Sequence, residues 1–346
     1  MLRHITCISV LVCVYSLSAS GAPAKAGAPK GESIEAVEAK AAPSPTGSKS
    51  VSLEKKARKK QPKKVRAKHS KGKSKKRVRR FRKSKFPTKR PKNIDLKIPS
   101  IGKFPFEPGE RLHFNIMMFG QHAGESILAV GKEEVKNGRR TLPLGGFLRG
   151  SPFLNKFYPI ENSLHVWLEP TSLRPLFSDF VVNENFKNMK YITKYDQKRR
   201  RVSSLRYKGK KKLRRSHQPV ADVYEPLGCI YAIRSMQLKV GDSFNYYLFD
   251  GRKERIVTVK VVGEEDVSVP AGLYRAKKIT ISTRITGGFV NKKMFDLPNR
   301  NGTIWIANDE WSTPLKMIAE TKLGPAEAVL TKRYREDGAI VFAEDS

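Results

Sequence analysis

The chain has 346 residues, 39% of them hydrophobic, and a formal net charge of +37. That apolar share excludes a polytopic membrane protein and is too high for a wholly disordered chain. The charge makes polyanions, such as phosphate polymers and lipid head groups, natural partners.

The charge is concentrated. Residues 1–50 hold 5 Lys/Arg and 3 Asp/Glu, whereas 51–94 hold 22 Lys/Arg and one acid, Glu54. Residues 95–346 hold 42 Lys/Arg against 28 Asp/Glu, but 14 of those cations lie in 187–215, opposed only by Asp196. Without that segment the domain is close to neutral.

Residues 1–22 read as a secretory signal. Arg3 and His4 make a short polar start, Ile5 to Leu17 is mostly apolar, and Ser18, Ala19, Ser20 and Ala22 offer small residues for cleavage. The apolar run is shorter than the about 20 residues that span a bilayer. Cleavage leaves Cys229 as the remaining thiol of three, so the fold rests on its core rather than on an internal disulfide. Residues 23–94 follow, first rich in Ala, Pro, Gly and Ser, then in Lys and Arg. They hold too little apolar surface to offset the entropy cost of folding, and their charges repel. The sequence predicts a disordered arm that attaches to a polyanion or acts as a spacer, with Phe81 and Phe86 placed to insert or stack.

Residues 95–346 form the predicted globular domain. Alternating runs predict strands over 111–119, 126–130, 164–168, 244–249 and 255–262. Asp250-Gly251 between the last two is a hairpin signal. Further strands are expected at 176–183, 190–206, 273–286, 303–307, 315–321 and 326–334. Turns at Pro270-Ala271-Gly272, Gly287-Gly288 and Asn301-Gly302 separate several of them. Asp222 and Glu225 resemble a capping box, and Leu227, Ile230, Tyr231 and Arg234 follow at helical spacing, so 222–236 is expected to be a helix. The fold class is therefore mainly β: a curved antiparallel sheet or half-barrel with one packed helix, preceded by the disordered basic arm.

Five short segments in order resemble the bacterial domain-of-unknown-function family 3108, found in exported proteins. They are Phe106 to Leu112 with Pro108, Gly109 and Glu110, then Ala123-Gly124, then Asp222 to Gly241 with Tyr231 and Arg234. Val269 to Tyr274 with Pro270 and Gly272 follows, and Ile304 to Asp309 with Trp305, trailed by Pro314, completes the set. The resemblance covers about 100–335 and implies a β-rich envelope domain. It brings no catalytic residues. The basic arm and the 187–215 segment depart from the family pattern.

The sequence lacks His-Glu-x-x-His, Gly-x-Ser-x-Gly and phosphate-loop motifs. His113, His122, His165 and His217 have no ligand partners at helical spacing, so no metal is expected. His165 beside Trp167 reads as a structural pair. Gly228-Cys229-Ile230 resembles a nucleophile segment superficially, but no His-Gly accompanies it, and Cys229 reads as a small core residue. Ser52-Leu-Glu-Lys55 falls in the arm, where nothing preorganises it. Phe104, Phe106, Phe147, Phe153, Phe157, Tyr158 and Trp167 read as core, with an acyl-chain cavity as the alternative.

The candidate binding residues are Lys190, Lys194, Lys198, Arg199, Arg200, Arg201 and Arg206 on one or two predicted strands, with Lys208, Lys210, Lys211, Lys212, Arg214 and Arg215 in a loop beyond. On a strand Lys190, Lys194 and Lys198 share one face, with Tyr191 and Tyr195 on the reverse. The other explanation is an edge strand guarded by lysines. The resulting expectation is an exported, non-enzymatic protein of the periplasm or cell envelope with no cofactor. Its β domain binds an amphiphile or partner, and its arm attaches to lipid head groups, lipopolysaccharide or wall polymer. The alternative is a nucleic-acid or anionic-polysaccharide binder using both basic regions.

Overall fold

The structure, a computed structural model, describes residues 86–91, 94–96, 100–321 and 324–336. The signal, the Ser-x-x-Lys match and nearly all of the predicted arm lie outside them. The arm's last part does not. Phe86 packs edge-on against Phe289 at 5.5 Å, and the Lys89 backbone N–H donates to the Thr286 carbonyl. The segment around 86–91 therefore lies against the domain rather than in the predicted arm.

The strands are β1 Glu110–Met118, β2 Gln121–Val130, β3 Glu134–Lys136, β4 Arg139–Gly150, β5 Ile160–Leu168, β6 Pro175–Glu184, β7 Lys187–Asp196, β8 Arg201–Lys208, β9 Lys211–His217, β10 Val223–Tyr224, β11 Ser243–Phe249, β12 Lys253–Val269, β13 Gly272–Gly288, β14 Arg300–Ala307, β15 Pro314–Thr321 and β16 Gly324–Arg335. Two helices interrupt them, α1 Pro152–Asn155 and α2 Pro226–Arg234. One sheet runs β10-β11-β12-β13-β14-β15-β16-β1-β2-β4-β5-β6-β7-β8-β9, with β3 beside β4. Every pairing is antiparallel except β10 with β11. The sheet stays open, ending at β9 and β10.

The alternation that predicted β1 is realised: Leu112, Phe114, Ile116 and Met118 are buried. The sheet is rolled, and its two ends meet through side chains. Tyr195, Val202 and His217 on the inner face of β7, β8 and β9 pack against Tyr247, Phe249, Ile256 and Phe289. The Tyr195 hydroxyl donates to the Phe249 carbonyl at 3.1 Å, and His217 Nε2 lies 2.8 Å from Glu254 Oε2. Tyr246, Leu248 and Val257, alternating with those residues, face the main core instead. The end of β11 and the start of β12, 246–249 and 253–257, thus bury both faces.

The helix is shorter than the predicted 222–236. Pro226 takes its first position, where a missing N–H costs nothing. The cap is Glu225, whose carboxylate accepts from the Leu227 and Gly228 N–H groups at 2.9 and 3.0 Å. Asp222 instead pairs with Arg174. All nine residues of α2 are buried, so it fills the rolled sheet. Three more expectations are corrected. The predicted strand region 190–206 takes its two-strand form, with a turn at 197–200, so Lys198, Arg199 and Arg200 lie in a turn rather than on a strand. Of the predicted loop at 208–215, only the turn around 209–210 is loop; Lys208 ends β8, and Lys211, Lys212, Arg214 and Arg215 lie in β9. Asn301-Gly302 is not a turn but lies within β14, where a Cβ at Gly302 would meet the Ile318 carbonyl at 3.0 Å.

Candidate functional site

The basic end of the sheet, β7 to β9, has two faces set by register. Outward rows are Lys190, Tyr207 and Lys212; then Ile192, Leu205 and Arg214; then Lys194, Ser203 and Ser216; with Arg201 opposite Asp196. Two acids temper this face: Lys190 Nζ lies 3.0 Å from Asp179, and Arg199 lies 3.6 Å from Asp196. Lys194 sits over the Phe177 ring and Lys212 over the Tyr207 ring, both at cation–π distance. Lys208, Lys210 and Lys211 crown the β8–β9 turn, and Arg200 donates to the Val220 carbonyl at the opposite turn. The lysines and Tyr191 and Tyr195 do occupy opposite faces, as alternation requires. β9 is also the terminal strand, so its lysines guard an edge as well.

Arg206 and Arg215 depart from that surface. They point inward, in rows with Tyr191 and Ser204. Arg206 contacts Met189 Sδ at 3.2 Å, and its Nε is buried without a hydrogen-bond partner. The Arg215 guanidinium lies 4.9 Å from the Phe86 ring and 5.8 Å from the Phe289 ring. Arg252, from the β11–β12 turn, completes the cluster. Burial first, then repulsion from Arg206 and Arg252, holds the Arg215 pKa below the usual arginine range. The cavity among Tyr191, Ser204, Arg206, Arg215, Arg252 and Phe289 has a volume of about 10 Å³, room for a single water. A polymer has no place there; the outward residues and the turns make up the rest of the basic surface.

The family-like residues gather elsewhere. Arg234 at the end of α2 makes a bidentate pair with Glu110, at 2.7 and 2.9 Å, with both side chains buried. It also donates to the Ser312 and Trp311 carbonyls at 3.1 Å, and its guanidinium lies about 5 Å from the Phe106 and Tyr231 rings. Pro108 and Gly109 lead into β1. Gly109 has φ +93, and a Cβ there would strike the Glu336 carbonyl at 2.1 Å. Asp309 caps the Trp311 N–H beside Pro314, the first residue of β15. Trp305 Nε1 donates to Glu265 at 2.5 Å. Gly241 at φ +95 sits in the turn before β11, and Pro270 and Gly272 make the β12–β13 turn. These residues fix the helix and the turns; they do not converge on an open cleft.

The remaining chemistry is muted. Cys229 is buried beside the Tyr246 hydroxyl, and burial pushes its thiol up to about 12, so no thiolate forms near neutrality. Burial, with Lys190 and Lys136 nearby, pushes His165 down to about 4; its ring lies 6.4 Å from that of Trp167. Among the described residues no group of His, Cys, Asp and Glu is placed to hold a metal. The aromatic set is split. Phe106, Tyr158 and Trp167 are buried and Phe104 and Phe147 half-buried, but Phe153 and Phe157 are 71% and 62% exposed, which corrects their assignment to the core. Nothing in the sequence pattern marks that exposure, because α1 is one turn long, Phe157 follows it in a turn, and neither carries periodicity.

The family model for proteins of unknown function named DUF3108 matches residues 111–331. The chain belongs to the DUF3108 family. Among curated proteins, none matches it. Three solved structures align at low similarity. A β-barrel-like DUF1849 protein from Brucella abortus is 10% identical with a TM-score of 0.44, covering 66% of this chain and 98% of its own. A protein from Bacteroides fragilis, described as exported and with a YmcC-like fold, is 10% identical with a TM-score of 0.31, covering 68% and 100%. One from Parabacteroides distasonis, described as a lipoprotein, is 9% identical with a TM-score of 0.28, covering 70% and 100%.

Proposed function

We propose that this DUF3108 protein is an exported, non-catalytic envelope protein that attaches to an anionic surface through the basic residues of 51–85 and the outward face of β7 to β9. The carrying observation is that face: Lys190, Lys194, Arg201, Lys212 and Arg214 share it, with only Asp179 and Asp196 opposed. Each such cation near an anionic membrane contributes about 1 kcal/mol within a Debye length. The leader-like stretch 5–17 supports export. Because α2 fills the interior, an amphiphile or partner of the β domain is received at its surface.

The full chain should float with anionic vesicles and release as salt rises. Changing Lys190, Lys194, Arg201, Lys212 and Arg214 together to Gln should weaken retention about tenfold or more at low salt. Retention that ignores both salt and these substitutions overturns the reading. A steep log–log salt slope against DNA with no vesicle binding would favour the nucleic-acid alternative instead.

A further inference from the structure

All four exposed phenylalanines among the described residues lie on one rim of the rolled sheet. The hairpin turns alternate between two rims. The β1–β2, β4–β5, β6–β7 and β8–β9 connections share the first, as the antiparallel register requires. Phe119 is 72% exposed on the β1–β2 turn, Phe153 on α1 and Phe157 in the turn after it both lie between β4 and β5, and Phe186 is 82% exposed on the β6–β7 turn. These strands are consecutive, so successive turns stand roughly 10 Å apart along the rim. Lysines are interleaved: Lys156 on the α1 connection, Lys187 after Phe186, and Lys208, Lys210 and Lys211 on the β8–β9 turn. The connections at 119–122, 151–159, 185–187 and 208–211 hold no Asp or Glu. The opposite rim differs. Its turns carry Glu133, Glu134, Glu169, Asp309 and Glu310, and no exposed phenylalanine.

A second observation is independent of exposure. Phe119 and Phe186 hold left-handed backbone, with φ +51 and +59, in two-residue turns. Such turns favour Asn-Gly, and a bulky side chain at positive φ is strained. Asn185 supplies the expected first residue, but Phe186 stands where glycine belongs. Residues kept against local preference, with rings turned to solvent, point to use.

We propose that this rim docks the protein on an anionic phospholipid bilayer, with the four phenyl rings entering the interface and the lysines meeting the head groups. Aromatic rings at head-group level beside cations are the ordinary chemistry of such an interface. The inference rests on the attachment reading above but names a different surface and orientation.

The test uses the full chain and vesicles of phosphatidylcholine with roughly a third phosphatidylglycerol, some carrying brominated acyl chains. In Phe186→Trp the new indole should blue-shift on binding and be quenched by the brominated lipid. In Leu273→Trp, on the opposite rim, it should not. Phe119→Ser, Phe153→Ser, Phe157→Ser and Phe186→Ser combined should lower retention about tenfold or more at about 0.5 M salt, where the Debye length is roughly 4 Å. Phe186→Gly relieves the turn, so it should melt higher while binding more weakly. Salt-sensitive flotation with no quenching at position 186 overturns the rim proposal and leaves the attachment reading standing. Quenching at position 186 with flotation insensitive to salt does the reverse. No flotation at any salt, or equal quenching at both positions, overturns the rim.

Discussion

Glu225 shows how one residue couples helix capping to pH. It is fully buried, and burial pushes its pKa up to about 7, against the lowering effect of its hydrogen bonds from the Gly228 and Leu227 N–H groups. The folded chain therefore holds this proton more tightly than the unfolded chain, whose carboxyl titrates near 4.5. The stabilisation is complete below that lower value and is lost as pH rises through about 7, a difference of about 3 kcal/mol. Glu225→Gln keeps an accepting oxygen for the cap and removes the titration. Denaturant midpoints of the two proteins should diverge with pH: the native protein loses stability between pH 5 and 8 relative to the variant. Parallel curves would show that Glu225 titrates as it does in the unfolded chain. The sequence revealed a carboxylate near this helix start but favoured Asp222 as the cap. Pro226 decides the matter, because it fixes the first helical residue and hence the residue before it.

At the scale of elements, the strands legible in the sequence were those with one buried face. β1 alternates cleanly, and so do β6 and β7. β4 escaped because it buries both faces, so Leu142 to Leu148 shows no period of two. β9 reads as a loop in sequence because its lysines, which suit an edge strand, resemble a solvated turn. The family-like residues were legible as a set, but their meeting at Arg234 was not, since Glu110 lies 124 positions away. That pair anchors α2 to β1 and to the β14–β15 connection. Arg234→Met removes the cation and leaves Glu110 buried, with Arg333 at 3.4 Å as its remaining close cation. Such a loss costs about 3–5 kcal/mol. Chemical denaturation should show it. Adding Glu110→Gln to the same protein should recover part of the loss, because the stranded charge is then gone. A double variant no more stable than Arg234→Met would place the cost in packing against Phe106 and Tyr231 instead.

At the scale of the described domain, the roll of the sheet is what the sequence could not show. Its closure joins β7, β8 and β9 to β11 and β12 through side chains, not through a continuous backbone ladder. Backbone pairing propagates strand by strand from β10 to β9, but the seam depends on Tyr195, His217, Phe249 and Glu254. A closure made of a few side chains opens at lower cost than a ladder, so the seam should be the first part of the domain to open. His217→Phe tests this. The substituted ring can keep its stacking on Phe249 and its edge contact with Phe289, which lie 5.7 and 6.2 Å from the native imidazole. What it removes is the hydrogen bond to Glu254, whose carboxylate retains Thr286 at 3.1 Å and Arg90 at 3.7 Å. Losing one partner of a buried carboxylate costs about 1–3 kcal/mol. Native-state hydrogen exchange should find that cost in β9 and the adjoining ends of β11 and β12. Amides of β1, β2 and β16, on the far side of the sheet order, should keep their protection until global unfolding. Equal acceleration throughout would show that the rolled sheet opens as one cooperative unit and that the seam is no weaker than the ladder.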